Sequence, residues 1–138
     1  MDQATMQRLR EELSEHTMYE LLGGEAGIRR IVHAFYDHME RDADLAPLRA
    51  MHADDLGPMR QGLFEFISGW LGGPPLFVQR KGSPCLTEAH APYVIDQAAR
   101  DQWLVCMHRA MADAEVADRY HEALTPGFES IADMLQRD

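Results

Sequence analysis

Positive charge is scarce in this chain of 138 residues. Thirteen Lys and Arg stand against 23 Asp and Glu, giving a formal charge of −10. A duplex-binding surface displaces counterions with clustered cations, so nucleic acid is disfavoured as a partner. An anionic membrane surface is disfavoured for the same reason. Long hydrophobic runs are missing too. The first twenty residues carry charges throughout, which leaves no apolar core for a signal peptide. The least charged stretch, 66–79, contains Gly72, Gly73, Pro74 and Pro75 and is too short and broken to span a bilayer. Cysteine is limited to Cys85 and Cys106 in a chain long enough to build a core without staples. Both read as reduced thiols of a cytoplasmic protein. No segment alternates or is enriched in β-branched residues, and no repeat or linker is visible, so the expected fold is a single all-α domain.

What is present is helical periodicity. Residues 4–14 form a charged, weakly amphipathic helix. Thr17 to Glu20 is a capping box opening a short helix that Gly23 and Gly24 stop. From Glu25 to Arg41 a stripe of Ile28, Ile31, Val32, Phe35, Tyr36 and Met39 recurs at steps of three and four, and the stretch Asp42 to Pro47 breaks it. Asp54 or Asp55 is the expected cap of the next helix, with Leu56, Met59, Leu63, Phe66, Ile67 and Trp70 on one face. The run from Gly72 to Pro75 ends that helix. Residues 72–95 then hold Gly82, Pro84 and Pro92, an unusually long loop for a small domain, with room for one or two short helical turns, the foremost expected around Leu86 to His90. Asp96 caps a helix carrying Ala99, Trp103, Met107, Ala110 and Met111. A last helical region runs from about Glu115 to Leu135, with Thr125-Pro126 expected as a restart or kink.

Among seven histidines, none is paired at the i,i+4 spacing of a helical zinc site, and HExxH is absent. There is no glycine-rich phosphate loop after a strand and no nucleophile elbow. Asp54-Asp55 reads as capping. His90 stands in the irregular loop before Ala91-Pro92. By position alone it reads as a solvated loop residue. The other reading is a lone ligand for a metal that arrives already coordinated, as iron does in a porphyrin. Tyr36, Trp103 and the Met59, Leu63, Phe66 and Ile67 set read as core unless a ligand slot exists for them to line.

Several motifs, in order, resemble truncated globins of the second group. They are Tyr19 to Gly24, Phe35-Tyr36, Leu48 to His52, Phe64 to Phe77, His90 to Tyr93 and Arg100 to Met107. The resemblance covers about residues 17 to 136. It implies an N-terminal extension over 1–16 and a truncated globin domain over 17–138, folded as a two-over-two helical sandwich around haem b. His90 matches the proximal ligand, leaving a five-coordinate iron. Tyr36, His52 and Trp103 match the distal ligand-binding side. Phe35, Met59, Leu63, Phe66, Ile67, Tyr93 and Met107 would line the haem pocket. Thr87 and Ala89 stand where the family often has arginine, and Glu88 adds negative charge, so Arg80 and Lys81 are the substitutes available for the propionates.

In function, the resemblance implies binding of O2, NO or CO with slow release. Redox chemistry on NO, O2 or peroxide is also implied, supported by an unidentified reductase, in a monomer or homodimer. Oxygen transport is the family's generic role, though three distal donors suit retention or redox work better. NO dioxygenase and peroxidase-like activities stay open at this point, as does a haem-free interaction module that has kept the fold.

Overall fold

The computed structural model describes residues 1–82 and 94–136. His90, Tyr93, Cys85 and the turn expected around Leu86 to His90 lie outside the described residues. Within them, α1 (Gln3–Glu15), α2 (Met18–Leu21) and α3 (Gly24–Arg41) are followed by a 3-10 turn at Ala43–Leu45. Then come α4 (Ala46–Ala50), α5 (Gly57–Trp70), α6 (Leu76–Lys81), α7 (Gln97–Asp113) and α8 (Asp118–Leu135). No strand occurs among the described residues.

The capping box forms. The Glu20 amide donates to Thr17 Oγ1 at 3.1 Å, and the Thr17 amide donates to Glu20 Oε1 at 3.0 Å. Ile28, Ile31, Val32, Phe35, Tyr36 and Met39 are all buried, so α3 presents one continuous apolar face. That face meets α5 on one side and α7 on the other, and α7 packs in turn on α8. Pairing α3 with α5 and α7 with α8 gives two helical layers around one core. Gly27 permits the entry into α3, since a Cβ there would lie 1.8 Å from the Leu22 carbonyl oxygen.

Two expectations are refined and two corrected. The stretch from Asp42 to Pro47 is not simply a break: it holds the 3-10 turn and leads into α4, with Pro47 in that helix's first turn, where its missing N–H has no intrahelical partner to lose. The residue before α5 is Leu56, not an aspartate. Asp55 instead accepts from the Gly57 amide at 2.9 Å, a local aspartate turn leading into the helix. The loop opens with α6, whose Leu76 and Phe77 turn inward against α5. Finally, α8 runs through Pro126 without a restart. Proline removes one i to i−4 bond, but the orphaned carbonyl belongs to exposed Glu122, on the solvent side of the helix where water can reach it.

The extension is docked. On α1, Glu12 accepts from Arg119 Nε at 2.7 Å and Nη2 at 3.0 Å, and the Tyr120 hydroxyl also donates to it. These bonds hold the Glu12 carboxyl down at about 2, Arg119 contributing most and Tyr120 next.

Candidate functional site

Two helices bring the polar candidates together. Tyr36 projects from α3 into the core and is 5% exposed. Its ring meets Phe35 edge-on at 4.9 Å and His52 at 6.3 Å. Trp103, half-buried on α7, meets Phe35 at 5.7 Å. Phe35 therefore lies between the phenol and the indole and fixes their spacing. A second contact at the same residue joins α7 to α3: the Cys106 thiol donates to the Phe35 carbonyl at 2.9 Å. Burial, with a smaller contribution from Asp42, pushes that thiol up to about 12, so Cys106 is a packing group and not a reactive thiolate.

Burial also pushes the Tyr36 phenol well above its ordinary value. The neighbouring Cys106 reinforces this, and the Arg60 guanidinium opposes it. Tyr36 thus keeps its proton and is a hydrogen-bond donor throughout the neutral range. His52, at the corner after α4, places Nδ1 2.9 Å from the Leu48 carbonyl. That bond makes Nδ1 the protonated nitrogen and gives Nε2 the lone pair of the neutral ring. With Nδ1–H given to that carbonyl, the neutral ring has no second N–H to donate, so His52 differs in kind from Tyr36 and Trp103.

Leu63 and Phe66 are half-buried and Ile67 is 1% exposed, which makes the inner face of α5 an apolar wall. Met107 is buried on α7. Met59 departs from the expected stripe. At 36% exposed it lies at the rim of α5, on the face it shares with half-buried Leu63 and Phe66. Trp70, also 36% exposed, is likewise peripheral. Arg80 donates to the buried Glu65 at 2.5 Å, so its charge is already matched within the fold, and Lys81 is exposed at the end of α6.

Sequence reasoning missed Arg60. Its Nη1 donates to the His33 carbonyl at 3.1 Å and its Nη2 to Asp37 at 3.0 Å, while the guanidinium covers the Tyr36 ring at 5.6 Å. It clamps α5 to the turn of α3 that carries Tyr36. Separately, a groove of about 190 Å³ lies between α5 and α6, lined by Phe66, Gly69, Trp70, Pro75, Phe77 and Val78. It shares Phe66 with the apolar wall and none of the distal polar residues.

The model of the bacterial-like globin family matches residues 17–137. The chain belongs to the truncated globins of group II. A cold-adapted truncated haemoglobin from Pseudoalteromonas haloplanktis superposes with a TM-score of 0.86 at 43% identity, covering 89% of this chain and 99% of that one. The group II 2-on-2 haemoglobin of Agrobacterium tumefaciens gives 0.85 at 34% identity, covering 88% and 95%. The group 2 truncated haemoglobin YjbI of Bacillus subtilis is 36% identical over 93 residues, 67% of each chain.

Membership in this family carries globin-type haem and the binding of small diatomic ligands. The chain's own residues fit such a group. A flat apolar macrocycle needs an apolar wall, which Leu63, Phe66 and Ile67 supply. A ligand that gains charge on binding needs donors held away from bulk water, and buried Tyr36 and half-buried Trp103 are groups of that chemistry. The two-over-two sandwich of the truncated globins is the fold observed.

Proposed function

We propose that the chain is a haem b protein whose iron is held by His90 and whose distal donors retain bound O2. The observation that carries this reading is the pairing of Tyr36 and Trp103 across Phe35, on two helices locked together by the Cys106 to Phe35 bond. The haem would supply reversible coordination of O2, NO or CO and one-electron redox chemistry. Everything else belongs to the chain. His90 would present one imidazole nitrogen to the iron and give its other N–H to an acceptor that fixes the ring. Tyr36 and Trp103 would donate toward the ligand. The apolar wall of α5 would exclude water from it, and Arg60 would hold that wall at constant distance from Tyr36.

Bound O2 carries partial superoxide charge and CO does not, so these donors select for O2. A hydrogen bond to a charged acceptor contributes about 1.5–3 kcal/mol. The reading entails slow O2 release, with turnover of NO or peroxide, reduction by a separate reductase, and a cytoplasmic monomer or homodimer as the working form. Residues 1–16 form an added helix on a domain spanning 17–138. Trp103→Phe tests the donor assignment: O2 release measured by stopped-flow displacement should accelerate about tenfold or more. An unchanged rate would remove Trp103 from the ligand.

A further inference from the structure

The aromatic contacts of the core do not stop at the distal residues. Tyr36 meets Phe35, Phe35 meets Trp103, Trp103 meets Phe128 at 5.8 Å, and Phe128 meets Trp70 at 5.0 Å. Phe35 and Phe128 are enclosed at 1% and 3%, Trp103 between them is half-buried, and Trp70 at the outer end keeps about a third of its surface in solvent. The outer contact is built by the backbone. Gly127 interrupts the middle of α8, and a Cβ there would lie 2.7 Å from Trp70 Cζ2 and 2.9 Å from Cη2. Glycine is unfavourable in a helix interior, and its effect here is to let an indole lie against Phe128.

Beside that indole lies the groove between α5 and α6. Its walls are Phe66, Gly69, Pro75, Phe77 and Val78 together with Trp70 itself, and its volume is about 190 Å³. An apolar cavity of about 150 Å³ accepts benzene, so the groove has the size and character for one aromatic ring. Exposed Trp70 and Val78 leave it open to solvent.

We propose that Trp70 is a surface oxidation site at which a monocyclic phenol, seated in this groove, is oxidised at the expense of hydrogen peroxide. Each phenol gives one electron to oxidised Trp70 and its O–H proton to water, leaving a phenoxyl radical. The electron passes inward through Phe128 to Trp103 and so to the ligand side. There one peroxide, its O–O bond broken, takes up two electrons and two protons to become two waters. The balance is two phenols and one peroxide to two phenoxyl radicals and two waters. Phe128 serves as a bridging ring between two indoles and is not itself oxidised. Trp70 is a better exit than Tyr36, because about a third of its surface meets solvent whereas Tyr36 is enclosed.

This inference rests on haem binding as proposed above, and the experiment separates the two. Haem-loaded protein, verified by its Soret absorbance, is mixed with hydrogen peroxide and a nitroso spin trap, and the adducts are located by peptide mass mapping. Oxidation of guaiacol is followed in parallel. In the haem-free protein, guaiacol is titrated against the Trp70 indole N–H resonance. The trap should mark Trp70, and guaiacol should shift its resonance. Trp70→Phe should lose the adduct and most of the guaiacol oxidation while peroxide consumption and the Soret band persist. Phe128→Leu should move the adduct back to Trp103 or Tyr36. Adducts confined to the interior, no shift of the Trp70 resonance, or undiminished guaiacol oxidation in Trp70→Phe would overturn the proposal. Absence of a Soret band would instead overturn the haem reading beneath it, and this inference with it.

Discussion

Replacing Tyr36 by phenylalanine removes one oxygen atom and leaves the ring in place. The contacts of that ring with Phe35 at 4.9 Å and His52 at 6.3 Å do not need the hydroxyl, so the fold should be retained. Burial keeps the phenol protonated, so the native group donates at any neutral pH. Neutral His52 cannot replace it, since its one ring N–H is committed to the Leu48 carbonyl. The loss is therefore undiluted: one hydrogen bond to a charged acceptor, about 1.5–3 kcal/mol, or an O2 release about ten to 150 times faster. Stopped-flow displacement of O2 by CO in the presence of dithionite reads this rate. CO release should change far less, because bound CO carries little charge. An O2 rate within about twofold of the parent, with circular dichroism and Soret absorbance unaltered, would refute the donor role of Tyr36.

Gly127→Ala should be destabilising by up to about 2 kcal/mol, because the overlap of the added methyl with the Trp70 ring outweighs the roughly 1 kcal/mol that alanine gains in a helix interior. A thermal melt equal to or above the parent's would contradict that contact. Docking of α1 should fail in acid. The Glu12 carboxyl is depressed from 4.5 to about 2, so its attachment to Arg119 is fully present above about 4.5 and is lost as the pH falls toward 2. The Arg119 Nε–H resonance should move over that interval, and Glu12→Gln should abolish the movement. The same profile in both proteins would disprove the clasp.

The main helices were legible because their periodicity and caps agree. The α3 stripe from Ile28 to Met39 is buried as its spacing predicts, and Thr17-Glu20 and Asp96 cap as their positions predict. Local punctuation misled where solvent intervened. Pro126 reads as a restart, yet it sits where the freed carbonyl is on an exposed turn, so the helix continues. Met59 fits the apolar spacing of α5 but shares its face with Leu63, Phe66 and Trp70, which are half-buried or exposed, while the covered side carries Phe64, Ile67 and Leu71. Arg60 was illegible for another reason. Its partners lie 23 and 27 residues away on a different helix, and an arginine beside an apolar stripe looks like ordinary solvated charge. The burial of Glu65 against Arg80 was hidden in the same way, since only the tertiary turn between α5 and α6 brings them together. Tyr36 and Trp103 read as core from their spacing, and core-like packing is indeed what positions them. The donor role proposed for them came from the family resemblance.

The attachment of iron to the chain is the central claim, and a haemin titration of the purified protein beside His90→Gly tests it most directly. The parent should bind haemin stoichiometrically and, once reduced, show the spectrum of a five-coordinate histidine-ligated ferrous haem. His90→Gly should lose that spectrum and recover it when free imidazole is added. A variant whose ferrous spectrum and haemin affinity match the parent's without imidazole would contradict the account.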